Sequence, residues 1–117
     1  MIKTYNGSKL GITSSHKKAL LRNLATNLFL YEKIITTLSK AKELARYSEK
    51  LITKARKSNL SAIRALNGEI NSKNVVKKIF DVLVPRYKER RGGYTQIFKL
   101  GFRRGDSSEL TVVKLVN

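Results

Sequence analysis

Three groups of residues carry side chains of the type and spacing that bind negatively charged groups. The first is Thr13-Ser14-Ser15-His16-Lys17-Lys18. Free N–H groups at a helix start, hydroxyls and basic side chains together form an anion pocket. Lys17 and Lys18 would oppose the positive end of the helix dipole, a conflict that a bound anion relieves. Ser15 is the expected helix cap, and capping and anion binding are compatible roles for the same atoms. The second group is Arg90-Arg91-Gly92-Gly93-Tyr94. The arginines offer bidentate contacts to phosphate or to a base edge. The paired glycines allow a sugar–phosphate chain to come close. Tyr94 suits either an unpaired base to stack on or a place in the core. The third group is Lys42, Arg46, Lys50 and Lys54, each four residues after the last. Like charges at that spacing each cost an isolated helix about 0.2–0.5 kcal/mol. A cationic row along a rod suits a phosphate backbone, and equally suits a plain solvated face. Lys9, Arg22, Asn23, Arg86, Arg103 and Arg104 are further expected contacts.

Catalytic chemistry has no comparable basis. His16 is the single histidine, and the first acid in the chain is Glu32. The eight acids are scattered among bases and read as surface ion-pair partners. Cysteine is absent, which removes disulfides, thiolate metal sites and a Cys nucleophile, and fits a reducing compartment. No phosphate-cradling or nucleophile-elbow motif occurs. Neither an enzyme, a metal, a cofactor nor a small-molecule substrate is expected. No apolar run nears the roughly 20 residues of a membrane span. The first seven residues show no secretory signal pattern.

The elements that must position these groups follow from a chain of 117 residues, long enough for one domain with one core. It carries 25 Lys plus Arg against 8 Asp plus Glu, a net charge of +17. Residues 1–31 hold five bases and no acid, and residues 86–104 hold seven bases against Glu89 alone. Such a surplus repels itself, and a polyanion relieves it by exchanging condensed counterions. Residues 1–13, with Asn6-Gly7 and Gly11 and no apolar period, read as an extended basic arm. Residues 14–117 read as a single α+β domain.

Within that domain, His16 to Tyr31 reads as a helix with Leu20, Leu24, Leu28 and Tyr31 as its apolar stripe, flanked by Leu21 and Ala25. The β-branched run Lys33 to Thr37 predicts a short strand. A helix from about Ser39 to Lys57 follows, its core stripe Ala41, Leu44, Ala45, Ser48, Leu51, Ile52 and Ala55. Ser58 or Asn59 caps a short helix bearing Leu60, Ile63 and Leu66 and stopped by Gly68. Asn71 or Ser72 opens another, with Val75, Val76, Ile79, Phe80 and Leu83 buried and Pro85 closing it. The period then changes to two: strands at Tyr94–Leu100 and Leu110–Val116 flank a turn at Gly105-Asp106-Ser107-Ser108. The order α-β-α-α-α-β-β predicts a two-layer arrangement, a small three-stranded sheet covered by helices.

Several segments resemble one family. They are Lys9-Leu10-Gly11, Thr13 through Ala25, Thr36-Thr37-Leu38, Lys40 through Leu44, Leu51-Ile52-Thr53, Pro85-Arg86-Tyr87, Arg91 through Thr95, and Gly105-Asp106. In that order they are similar to the L-seventeen family of bacterial large-subunit ribosomal proteins. The resemblance implies a non-catalytic protein that binds large-subunit ribosomal RNA, with a two-layer α/β fold. It further implies a place near the peptide exit tunnel and contact with the L-thirty-two protein. The implied location is cytoplasmic and ribosome-bound, in a bacterium or an organelle of bacterial descent. Ser39 stands where the family usually has Pro at the helix start. Two rivals share the charge. A DNA-coating protein would bind duplex DNA as well as folded RNA. A membrane-surface protein would need an apolar helix face left exposed beside its basic face.

Overall fold

The computed structural model describes residues 14–116. The arm of residues 1–13, with Lys9 and Thr13, lies outside the described residues. Helix α1 (Ser14–Tyr31) leads to strand β1 (Lys33–Thr37) and helix α2 (Leu38–Ala55). Helices α3 (Leu60–Glu69) and α4 (Lys73–Lys78) follow. A π-helical turn, Ile79–Leu83, joins α4 to the three-residue α5 (Val84–Arg86). Strands β2 (Thr95–Phe102) and β3 (Glu109–Leu115) complete the α+β fold. The sheet is antiparallel throughout, in the order β1-β3-β2.

The central strand sets the layers. Thr111, Val113 and Leu115 alternate as buried residues of β3, facing the helices. The opposite face aligns Ile35, Val112 and Phe98 across the three strands, with Ile35 and Phe98 exposed. Between Lys99 and Gly101 the β2–β3 register shifts by a bulge. Gly101 sits there at φ 131, a conformation that a Cβ disfavours.

Helix α2 is the spine. Ala41, Leu44, Ser48, Leu51, Ile52 and Ala55 are buried as the apolar period predicts. Glu43 is buried as well. Ser48 donates to the Leu44 carbonyl at 2.7 Å, which satisfies its hydroxyl inside the core. Helix α1 differs from expectation. Its buried residues are Leu21, Ala25, Leu28 and Phe29, whereas Leu20 and Leu24 are half-buried and Tyr31 is exposed. Two apolar stripes overlap on this helix, and the one that encloses the larger Phe29 ring faces the core. In α3 the row Ala62 and Leu66, continued by Ile70, is buried, while Leu60 and Ile63 stay exposed.

The helix ends show where local rules yield. Ser15 lies inside the first turn of α1 rather than capping it. Asn59 and Ser72 do cap, accepting from the backbone N–H of Ala62 and Val75. Gly68 does not stop α3, which runs on to Glu69. Pro85 does not close the fourth helix at Val84, which stays helical at φ −61 and ψ −48. The wide turn beforehand resolves this, because Val84 N–H bonds back five residues to Ile79. That extra residue re-registers the ladder ahead of the proline, which has no N–H to give. Tyr87 N–H then reaches the Leu83 carbonyl at 3.0 Å across it.

Glu32 locks the end of α1. Its φ is 62, and its N–H donates to the Leu28 carbonyl at 2.7 Å, a left-handed cap that usually takes glycine. The side chain repays the strain: Arg86 Nη1 approaches at 2.5 Å and Lys78 Nζ at 3.2 Å. The Arg86 hydrogen bond chiefly, with Lys78 helping against the effect of burial, holds the Glu32 carboxyl below its ordinary 4.5. A depressed carboxyl stabilises the fold above its unfolded pKa, and that contribution fades as pH falls through the lower folded value. Glu32→Gln is therefore expected to cost about 1 kcal/mol in urea unfolding at pH 7, from two partly exposed ion pairs. The gap to the parent protein should narrow as the pH is taken well below 4.5. A pH-independent gap would mean that the charge is not what Glu32 contributes.

Candidate nucleic-acid interface

Helix α2 carries the longest ordered array of cations. Lys42, Arg46, Lys50 and Lys54 are all exposed, on the side away from the buried stripe. Successive members stand about 5–6 Å apart at the Cβ, the spacing of residues one helical turn apart. Among the described residues none of the four forms an ion pair with a carboxylate. Lys42 and Arg46 also border an open hollow of about 600 Å³, together with Thr37, Ser39, Glu43, Ser108 and Glu109.

The Arg90–Tyr94 loop is docked on the far end of the same helix. Tyr94 is fully buried and packs on Tyr87 with ring centroids 5.0 Å apart. Of its two expected roles it takes the core one, since no base can stack on an enclosed ring. Its hydroxyl donates to the Arg90 carbonyl at 3.1 Å and accepts from Arg56 Nη1 at 3.1 Å. Arg56 Nη2 also donates to the Lys88 carbonyl at 3.1 Å. On the next residue, both the N–H and the hydroxyl of Thr95 donate to Glu49 Oε2. The loop is thus pinned at both ends to α2, and Arg90, Arg91, Gly92 and Gly93 stay exposed. Arg90 Nη1 donates to the Gly93 carbonyl at 3.0 Å. Gly93 sits at φ 65, where glycine is favoured. A Cβ on Gly92 would meet nothing within 4 Å.

The remaining expected contacts divide into two sets. Ser14, Ser15, His16, Lys18 and Asn23 are exposed on α1, and Arg104 is exposed in the hairpin turn. Four other cations are turned to partners within the protein. Lys17 lies 3.8 Å from the buried Glu43. Arg22 Nε lies 3.9 Å from Glu69 Oε2, beside Tyr47, whose hydroxyl donates to the same carboxylate at 2.5 Å. Burial first, then that carboxylate, raises the Tyr47 pKa well above its ordinary range. Arg86 holds Glu32. Arg103 makes a two-pronged contact with Asp106 at 3.2 and 2.5 Å. With Ser108 assisting, this holds the Asp106 carboxyl well below the usual carboxylate range.

The acids are therefore more than loose surface partners: Glu32, Glu43 and Glu69 each join different helices. Glu49 and Arg56, missed in the sequence, set the position of the arginine loop. Their partners lie 46 and 38 residues away, and no local pattern announces such contacts.

Fold and surface together define a small cationic α+β protein. Glu32, Glu43 and Glu69 stitch its elements together, and among the described residues exposed bases without a carboxylate partner line one helix and a pinned glycine loop. The family model described as "Ribosomal protein L17" matches residues 20–116. A "Large ribosomal subunit protein bL17" of Endomicrobium trichonymphae is 78% identical over 116 residues, 99% of each chain. The protein of that name in Geobacter sulfurreducens is 50% identical over 110 residues, 94% of this chain and 63% of that one. The counterpart in Caldanaerobacter subterraneus subsp. tengcongensis is 51% identical over 108 residues, 92% of this chain and 96% of its own. The chain belongs to this family of large-subunit ribosomal proteins, and its role is structural rather than catalytic.

The pinned loop yields a stability prediction. Tyr94→Phe keeps the ring and removes the hydroxyl between Arg56 and Arg90. It is expected to cost about 1 kcal/mol in urea unfolding, the usual worth of a buried hydrogen bond. Amide exchange at residues 91–94 should quicken more than in the rest of the sheet. An unchanged midpoint with unchanged exchange would show that the hydroxyl does not hold the loop.

Proposed function

We propose that this chain binds and braces large-subunit ribosomal RNA through its phosphates. The observation that carries the reading is the run of exposed cations without carboxylate partners, on Lys42, Arg46, Lys50 and Lys54 and on the pinned loop at Arg90 and Arg91. The backbone of both surfaces is held before binding, so little backbone ordering entropy is lost on contact. Packed RNA helices repel each other, and a rigid cationic body between them lowers that repulsion and holds their junction. Recognition is then mostly of RNA shape and backbone rather than of base sequence. Residues 14–117 act as one RNA-binding domain, with residues 1–13 and Lys9 as a basic arm. The exposed residues of α1, Ser14, Ser15, His16, Lys18 and Asn23, and Arg104 in the hairpin extend the contact. The placement near the peptide exit tunnel, the L-thirty-two protein as a neighbour and the cytoplasmic location rest on family resemblance.

Salt dependence is the direct check. With six to ten phosphates neutralised, log K for a large-subunit RNA transcript should fall against log salt with a slope of roughly −4 to −9. A slope near zero is incompatible with the reading. At matched salt, folded ribosomal RNA should outcompete duplex DNA, and equal affinity would favour a general nucleic-acid-coating protein. Gly92→Ala has room for its methyl group. It should unfold at the parent midpoint and still bind RNA more weakly, because the methyl obstructs the approaching backbone. Unaltered affinity would remove Gly92 from the contact.

A further inference from the structure

Where α2 ends, a hollow of about 290 Å³ opens between Thr53, Arg56, Lys57, Val84 and Lys88. Three of the five lining residues are cations and none is an acid. Among the described residues, Arg56, Lys57 and Lys88 form no ion pair. That contrasts with Arg22, Lys78 and Arg86, each of which meets a carboxylate. Arg56 is half-buried, and the two hydrogen bonds of its guanidinium go to neutral acceptors, the Tyr94 hydroxyl and the Lys88 carbonyl. Burying part of a cation without a counter-charge is costly unless an anion arrives.

A helix C-terminus ordinarily repels anions through its free carbonyls. Here three of the last four carbonyls, those of Ile52, Lys54 and Ala55, are occupied. Ile52 accepts from Arg56 N–H at 3.0 Å, Lys54 from Lys57 N–H at 3.3 Å and Ala55 from Ser58 N–H at 2.9 Å. Thr53 donates its hydroxyl proton to the Glu49 carbonyl at 2.9 Å, so it forms a wall rather than a donor. Of the five donors on a guanidinium, Arg56 uses two within the protein. No aromatic ring lines the hollow, so it offers no surface for base stacking.

We propose that this hollow is a subsite for a single phosphodiester group. Lys57 and Lys88 supply the charge, and the remaining Arg56 donors orient the phosphate oxygens. This rests on the RNA-binding reading above and specifies it. The subsite lies between the Lys50–Lys54 end of the helical row and the Arg90–Arg91 loop, and it joins them into one continuous track. Arg56 links the two, because the atoms it holds belong to the loop and its own backbone belongs to the end of α2.

The test uses the full chain in filter binding to a large-subunit ribosomal RNA transcript across a salt series. Lys57→Ala with Lys88→Ala is compared with Arg64→Ala with Lys73→Ala. The second pair loses the same charge from exposed positions on α3 and α4, away from the hollow. All four side chains are exposed, so unchanged urea midpoints are expected. The Lys57/Lys88 variant should lose about one unit of salt slope, the equivalent of one phosphate contact, and at least about tenfold in affinity at low salt. The Arg64/Lys73 variant should keep the parent slope. Lys57→Arg with Lys88→Arg should restore binding. Equal losses in the two alanine pairs, or none in the Lys57/Lys88 pair, would overturn the subsite. If the parent chain itself shows no salt slope, the RNA-binding reading fails first, and the two failures are distinguishable.

Discussion

A surplus of seventeen positive charges on one small body is the constraint that organises this structure. Every carboxylate is scarce, and their placement decides which cations stay inside and which are left outward. Glu32 joins the end of α1 to Lys78 and Arg86, Glu43 joins α2 to Lys17, and Glu69 joins α3 to Arg22. Glu109 meets Lys99 across the hairpin, and Asp106 folds Arg103 into its turn. These partly exposed pairs are each worth little. Their collective effect is to assign an internal partner to the cations that lie near junctions between elements. The residual charge includes the row on α2, the glycine loop and Arg104 at the tip of the hairpin. Self-repulsion there disfavours the free protein and is relieved when phosphates replace the missing counter-charge.

Rigidity follows from the apolar and hydrogen-bonded parts of the same elements. The stripe from Ala41 to Ala55 clamps α2 into the core, and this fixes the direction of the cation row on its opposite side. Tyr94 and Tyr87 do the same for the loop. The first sits under it as a buried plug, and the hydroxyl of the second donates to the Val116 carbonyl and ties the segment to the end of the sheet. Glu49 adds a peg at Thr95. An arginine loop held at both ends loses less conformational freedom on contact than a free one.

The fold was largely legible because its periods are clean. The alternation in Leu110 to Val116 and the seven-residue stripe of α2 each satisfy one geometry only, and the element order follows from them. The sequence was ambiguous where two patterns overlapped. In α1, stripes through Leu20 and through Leu21 are both apolar, and only the neighbouring helices and the bulk of Phe29 choose between them. Pro85 and Gly68 are strong local stop signals, yet a π turn and an ordinary helical glycine pass through both. Tertiary packing outweighs a local cost of about 1–3 kcal/mol when the helix buries residues such as Leu83 and Tyr87.

Sequence alone determined the charge balance, the four-residue spacing of the row on α2, the paired glycines beside two arginines and the family to which those motifs belong. Such features are properties of composition and short-range order, so they need no partner to be read. Tertiary structure alone decided which cations are free. Arg22 and Arg86 match Arg46 and Arg90 in type, but carboxylates 47 and 54 residues away claim the first pair and none reaches the second. The reason is physical: an ion pair depends on separation in space, and a single chain reveals separation along its length.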